Sequence, residues 1–99
     1  MQQHQEPTRR PLFSLGQVVA TPGALEAFAA TGELITRYVA KHQSGEWGLL
    51  DRHDLRANEK ALKQGARLLS AYHLKDDTKI WIITEADRSS TCVLLPEEY

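Results

Sequence analysis

From Arg67 onward the chain alternates short apolar runs with short polar breaks. Arg67-Leu68-Leu69-Ser70-Ala71-Tyr72-His73-Leu74 gives way to Lys75-Asp76-Asp77-Thr78 and then to Lys79-Ile80-Trp81-Ile82-Ile83-Thr84. A second break, Ala86-Asp87-Arg88-Ser89-Ser90, precedes Thr91-Cys92-Val93-Leu94-Leu95. Three β-branched or aromatic runs separated by turn formers predict an antiparallel meander. The run Ile80–Thr84 is apolar on both faces, which suits a central strand buried on one side and partly covered on the other, and Trp81 is expected in the core.

Upstream of Arg67 the apolar spacing lengthens to that of helices. Leu12 to Ala20 alternates poorly, with Gln17-Val18-Val19-Ala20 its most strand-like part. Thr21-Pro22-Gly23 then opens a helix, because Thr21 is a good N-cap and Pro22 at the first helical position has no N–H to leave unpaired. Its expected inner residues are Leu25, Phe28 and Ala29, and Gly32 is placed to end it. A second helix is expected from Glu33 to about Ser44, with Ile35, Tyr38, Val39 and His42 forming one inward stripe. The third starts at the N-cap Asp51, points Leu55, Ala61 and Leu62 toward the sheet, and stops at Gly65. Together these elements predict an α+β fold: one strand, three helices, then a three-stranded antiparallel β-meander packed against the helices. Whether the first strand joins the meander is left open by the pattern. The polar, glutamine-rich residues 1–11 read as a flexible N-terminal arm, and 12–99 as a single α+β domain.

Composition narrows the function classes. Ninety-nine residues, 41% hydrophobic and 25% charged, describe one ordinary domain. Such a domain retains a net stability of about 5–10 kcal/mol, leaving few positions for strained catalytic geometry. A net charge of −1 excludes both the basic footprint of a dedicated nucleic-acid binder and the dense acidity of a DNA mimic. The single cysteine, Cys92, forms no intramolecular disulfide and no cysteine zinc site, and its apolar neighbours mark it as a buried small hydrophobe. With no secretory pattern and no run of 18 apolar residues, a cytoplasmic location is expected, without membrane contact.

Four groups of residues could carry chemistry. His42 and Glu46 lie four apart at a helix end beside Trp47, an arrangement open to general acid–base work, although a capped helix terminus explains them equally. A metal there would need a third ligand from Asp51, His53 or Asp54; no metal or other cofactor is expected. Arg52, Arg56, Lys60 and Lys63 line one face of the third helix and could track a phosphate backbone. Asp51, Asp54 and Glu59 interleave with them, so nucleic acid is expected to bind weakly if at all. The segment from Thr84 to Thr91 holds Glu85, Asp87 and Arg88 with four hydroxyls, and loops beside sheets are where sites are commonly built. The plainer reading pairs Asp87 with Arg88 across the turn. Finally, Trp47, Tyr72 and Trp81 could anchor a partner, and Trp47, between glycine-rich neighbours, is the one expected to be partly exposed. The G-x-S-x-G, P-loop and C-x-x-C spacings are absent.

Several stretches resemble a family of short bacterial proteins labelled plasmid-related. They are Leu15–Glu26, Gly45-Glu46-Trp47-Gly48, Asn58-Glu59 with Ala61-Leu62, Arg67–Tyr72, Trp81–Arg88 and Leu94–Tyr99. The resemblance covers nearly everything after residue 12. It implies carriage on a mobile element and brings no activity and no site residues with it. Some members are labelled as a type I restriction-modification subunit. Such a methyltransferase needs a nucleotide-cofactor fold and an Asn-Pro-Pro motif, and this chain has neither the length nor the motif. The sequence therefore favours a small non-enzymatic binding protein of plasmids or integrated elements, acting by protein contact, for instance on a host defence or replication complex. In that reading Trp47, Thr84 and Arg88 are the candidate contact residues. The alternative is a small hydrolase or nuclease using His42, Glu46, Glu85 and Asp87 with Arg88.

Overall fold

The computed structural model describes residues 10–99; most of the expected N-terminal arm lies outside the described residues. In chain order the elements are β1 (Gln17–Ala20), α1 (Pro22–Thr31), α2 (Ile35–Gln43), α3 (Arg52–Gln64), β2 (Leu68–His73), β3 (Lys79–Thr84) and β4 (Ser90–Leu94). A 3₁₀ turn, Pro96–Glu98, follows. The α+β class stands, with three helices and one four-stranded sheet. Its topology differs from an all-antiparallel arrangement. The strand order is β1-β4-β3-β2, and β1 joins β4 in parallel, Gln17 facing Ser90 and Ala20 facing Val93. The β2–β3 and β3–β4 pairs are antiparallel, as the turn clusters predicted.

Each helix ends where its sequence provides caps. The Thr21 hydroxyl accepts from Ala24 N–H at 3.1 Å to open α1, and left-handed Gly32 closes it. The same hydroxyl donates to Glu98 Oε1 at 2.5 Å, and Gly23 N–H donates to Glu98 Oε2 at 3.2 Å. A carboxylate from the far end of the chain thus sits at the positive end of α1. Asp51 caps α3 through Asp54 N–H at 2.8 Å, and Gly65 ends it.

Register divides the sheet into two faces. Leu68, Ser70 and Tyr72 on β2, Ile80, Ile82 and Thr84 on β3, and Thr91 and Val93 on β4 share the face under the helices and are buried. Ala24 and Phe28 of α1 and Val39 of α2 pack on Tyr72, Ile80, Ile82 and Val93, while Ala61 of α3 joins Trp47 and Leu68. Phe28 is inward as expected, but Leu25 and Ala29 face solvent and Ala24 takes the other inward position of α1. Leu55 is likewise exposed, and Asn58 takes the inward place on α3.

The two tryptophans exchange their expected places. Trp47 is buried, 7% exposed, between Phe13 and His42. Trp81 pairs with Ala71 and Leu94 on the outer sheet face, where it is only half-buried with Tyr99 edge-on against it at 5.8 Å. The period-2 alternation of β3 forces this: Ile80 and Ile82 take the inner face, so Trp81 must take the outer.

The edges of the sheet are finished differently. Along β2, the Asn58 amide donates to the Leu69 carbonyl at 2.7 Å and accepts from Leu69 N–H at 3.1 Å. The next outward-facing residue, Ala71, donates to the Trp47 carbonyl at 3.0 Å and accepts from Leu49 N–H at 2.7 Å. That close approach requires Gly48, whose φ is +78° and where a Cβ would run into the Ala71 carbonyl. Strand β1 has no such cover among the described residues.

Candidate functional site

His42 heads the sequence candidates, and the fold buries it completely between α2 and the sheet. Its Nδ1 lies 2.5 Å from Ser70 Oγ and its Nε2 lies 2.9 Å from Thr84 Oγ1. The chain continues from Thr84 Oγ1 to Thr91 Oγ1 at 2.7 Å, and Thr91 donates to the Leu15 carbonyl at 2.7 Å. That terminal carbonyl orders the protons along the chain, because each hydroxyl has one to give. Thr91 gives its own to Leu15, so Thr84 donates to Thr91 and His42 donates through Nε2–H to Thr84. Nδ1 has Ser70 as its partner, so both ring nitrogens are satisfied.

Its surroundings agree. Phe13 and Trp47 stand edge-on to the ring at centroid distances of 5.2 and 5.6 Å. Burial, and after it the positive charge of Arg88, push the His42 pKa down to about 4. His42 lies in the last turn of α2, where the helix macrodipole favours the charged form, and desolvation outweighs it. A sealed imidazole with no open coordination or proton-transfer position organises the core.

The other candidates do not converge on it. Glu46 lies at the surface after α2 and accepts from the Ser44 hydroxyl at 3.3 Å, while its backbone carbonyl accepts from Tyr72 at 2.6 Å. Glu85 and Asp87 are exposed in the β3–β4 turn. Asp87 accepts from Ser89 N–H at 3.0 Å, and bonding to Ser89 holds its carboxyl below the usual range. The expected Asp87–Arg88 pair does not form. Instead the Arg88 guanidinium turns inward and donates to four carbonyls: Ala66 at 2.6 Å, Glu85 at 3.0 Å, and Ala86 and Ala61 at 3.1 Å each. It also lies 5.7 Å over the Phe13 ring. Arg88 thus clamps the turn to the C-terminus of α3, where the Ala61 carbonyl also accepts from Gly65 and Ala66 N–H. Thr84 is inside the polar chain and Trp47 inside the core, so none of the three expected contact residues presents a free surface.

Arg52, Arg56, Lys60 and Lys63 are exposed along α3. At its first turn Asp51, His53 and Asp54 bring ligand atoms within 4.8 Å of one another, but Asp51 already serves as the N-cap.

Two surface clefts are formed by described residues. One, about 350 Å³, is bounded by Gly32, Glu33, Leu34, Arg37, Tyr38 and Lys75. Lys75 N–H and the Tyr38 hydroxyl hold its Glu33 carboxylate below the usual range, so that carboxylate already has its partners. The other, about 400 Å³, lies on the outer sheet face among Leu49, Ala71, Tyr72, His73, Lys79 and Trp81. Leu49 is 61% exposed there, and Trp81 offers an indole flanked by a lysine and a histidine. Sequence reasoning missed Leu49 and Lys79. The available signal was the alternation that sends Lys79, Trp81 and Ile83 to one face. No helix among the described residues is long and apolar enough to cross a membrane. Comparison with protein-family models, curated proteins and solved structures finds no match to this chain.

Proposed function

We propose that this protein is a non-enzymatic accessory protein of a plasmid or integrated element, acting in the cytoplasm by contact with a protein partner. The observation that supports it is the outer-face cleft, where half-buried Trp81 and exposed Leu49 stand ready to be desolvated beside Lys79. An apolar anchor with a cation at its rim suits an aliphatic or aromatic partner side chain next to an acidic one. A hydrolase or nuclease using His42, Glu46 and the Glu85–Arg88 loop draws less support, because the imidazole is sealed away from those carboxylates.

The test runs two assays on the purified full chain. Nucleic-acid, nucleotide and ester substrates are offered with divalent metals, and partners are isolated from host lysate by wild type and by Leu49→Glu. A stoichiometric partner lost with Leu49→Glu, at unchanged melting temperature and without turnover, is expected. Turnover that falls in folded Glu85→Gln or Asp87→Asn overturns the proposal.

A further inference from the structure

We propose that two copies of this chain pair through β1, antiparallel about a two-fold axis at Val19, to make one continuous eight-stranded sheet. The surface involved lies at the opposite edge of the sheet from β2 and is independent of the cleft at Trp81.

Backbone alternation shows what β1 offers. Gln17 N–H donates to Ser89 and Thr21 N–H donates to Val93, each at 3.0 Å, so residues 17, 19 and 21 turn their amides toward β4. The N–H and C=O groups of Val18 and Ala20 then point outward, and no group of the described residues bonds them. Exposed strand edges are normally blunted with charge, proline or a bulge. Here no charged residue occurs from Pro11 to Leu25, while Val18 and Val19 remain 45% and 42% exposed. The β2 edge is treated in the opposite way, filled by Asn58 and by the Trp47–Leu49 segment.

An identical strand fits this edge. In an antiparallel pair centred on Val19, Val18 of one copy exchanges two hydrogen bonds with Ala20 of the other, and symmetry repeats the exchange, giving four. Val19 meets itself at the closely spaced, non-hydrogen-bonded position, where β-branched side chains touch. A foreign strand gains no further bonds past Ala20, since β1 ends there and Pro22 has no N–H. A peptide selected by charge finds no countercharge along β1. Because the β2 edge is capped, pairing stops at two chains and cannot propagate into a fibre. So short an interface gives weak, concentration-dependent association.

Sedimentation equilibrium on the full chain tests this, with wild type, Val19→Lys and Leu49→Glu compared from micromolar to near-millimolar concentration. A reversible dimer is expected for wild type and Leu49→Glu, and a monomer for Val19→Lys, which sets two like charges face to face. Retention by Leu49→Glu separates this result from the fate of the protein contact proposed at Trp81. As a second variant, Val19→Cys in a Cys92→Ala background should cross-link to itself on mild oxidation, in proportion to the dimer fraction. A wild-type monomer at all concentrations overturns the proposal. So do a dimer that persists in folded Val19→Lys, a Val19→Cys variant that forms no cross-link, and a monomer that instead binds a strand of another protein at β1.

Discussion

Trp47 stands edge-on to His42, with ring centroids 5.6 Å apart and planes at 79°, so the indole closes the imidazole off from solvent. Removing it opens a cavity over a buried polar group as well as deleting apolar contacts. Trp47→Ala should cost about 3–5 kcal/mol. The half-buried Trp81 should cost under about 2 kcal/mol when truncated, because its outer-face position relaxes into solvent. Urea unfolding of the two variants gives the ranking; equal losses would contradict it.

The buried imidazole makes stability depend on pH. Its ordinary pKa of 6.5 falls to about 4 in the fold. Between those values the unfolded chain takes up a proton that the folded chain refuses, so stability is full above pH 6.5 and declines as pH falls toward 4. The loss amounts to about 3 kcal/mol at the lower end. Glu33, Asp76, Asp87 and Glu98, whose carboxyls are held low, lose their contributions only further down. Urea midpoints of His42→Gln should be nearly flat from pH 6.5 to 4.5 where wild type slopes.

Asn58 substitutes for a neighbouring strand at the β2 edge. Asn58→Ala strips partners from both backbone groups of Leu69 and should cost about 2–4 kcal/mol. It also exposes a second pairing edge, so light scattering should show aggregation that wild type lacks. Asn58→Asp, which cannot donate to the Leu69 carbonyl, should not restore stability.

Arg88 serves four carbonyls with one planar fork. Arg88→Lys keeps the charge but loses that geometry, and should destabilise by about 1–3 kcal/mol. Hydrogen exchange should quicken at the C-terminal turn of α3 and in residues 85–89 while β3 stays protected.

The cations of α3 should bind duplex DNA only in the non-specific range, about 10⁻⁴ to 10⁻⁶ M at physiological salt. Fluorescence anisotropy across a salt series checks this. Sub-micromolar binding lost in Arg52→Ala/Arg56→Ala/Lys60→Ala would make that helix face the principal site.

Local chemistry made much of the fold legible. Thr21, Gly32, Asp51 and Gly65 marked helix boundaries because capping needs only neighbouring residues, and the turn clusters at 75–78 and 86–90 marked the two hairpins. What stayed hidden depends on distant partners. The parallel pairing of β1 with β4 joins residues on opposite sides of three helices, and no local signal encodes it. Ser70, Thr84 and Thr91 resemble ordinary strand residues until His42 lies among them. Asn58 reads as a solvated helix position until the Leu69 backbone needs both ends of an amide. Trp47 looked exposed because nearby glycines suggested a loose corner, whereas Gly48 is what lets that corner dock.

The pairing of Gln17–Ala20 with Ser90–Val93 also sets an order of events. During synthesis β1 leaves the ribosome roughly seventy residues before its strand partner, and the Glu98 carboxylate that braces α1 comes later still. Closing so large a loop is entropically slow, and long-range strand pairing raises contact order. The meander can form from near neighbours first. Until it does, an uncharged stretch from Pro11 to Leu25 waits without a mate, which makes the nascent chain, more than the finished protein, the form most exposed to misassembly.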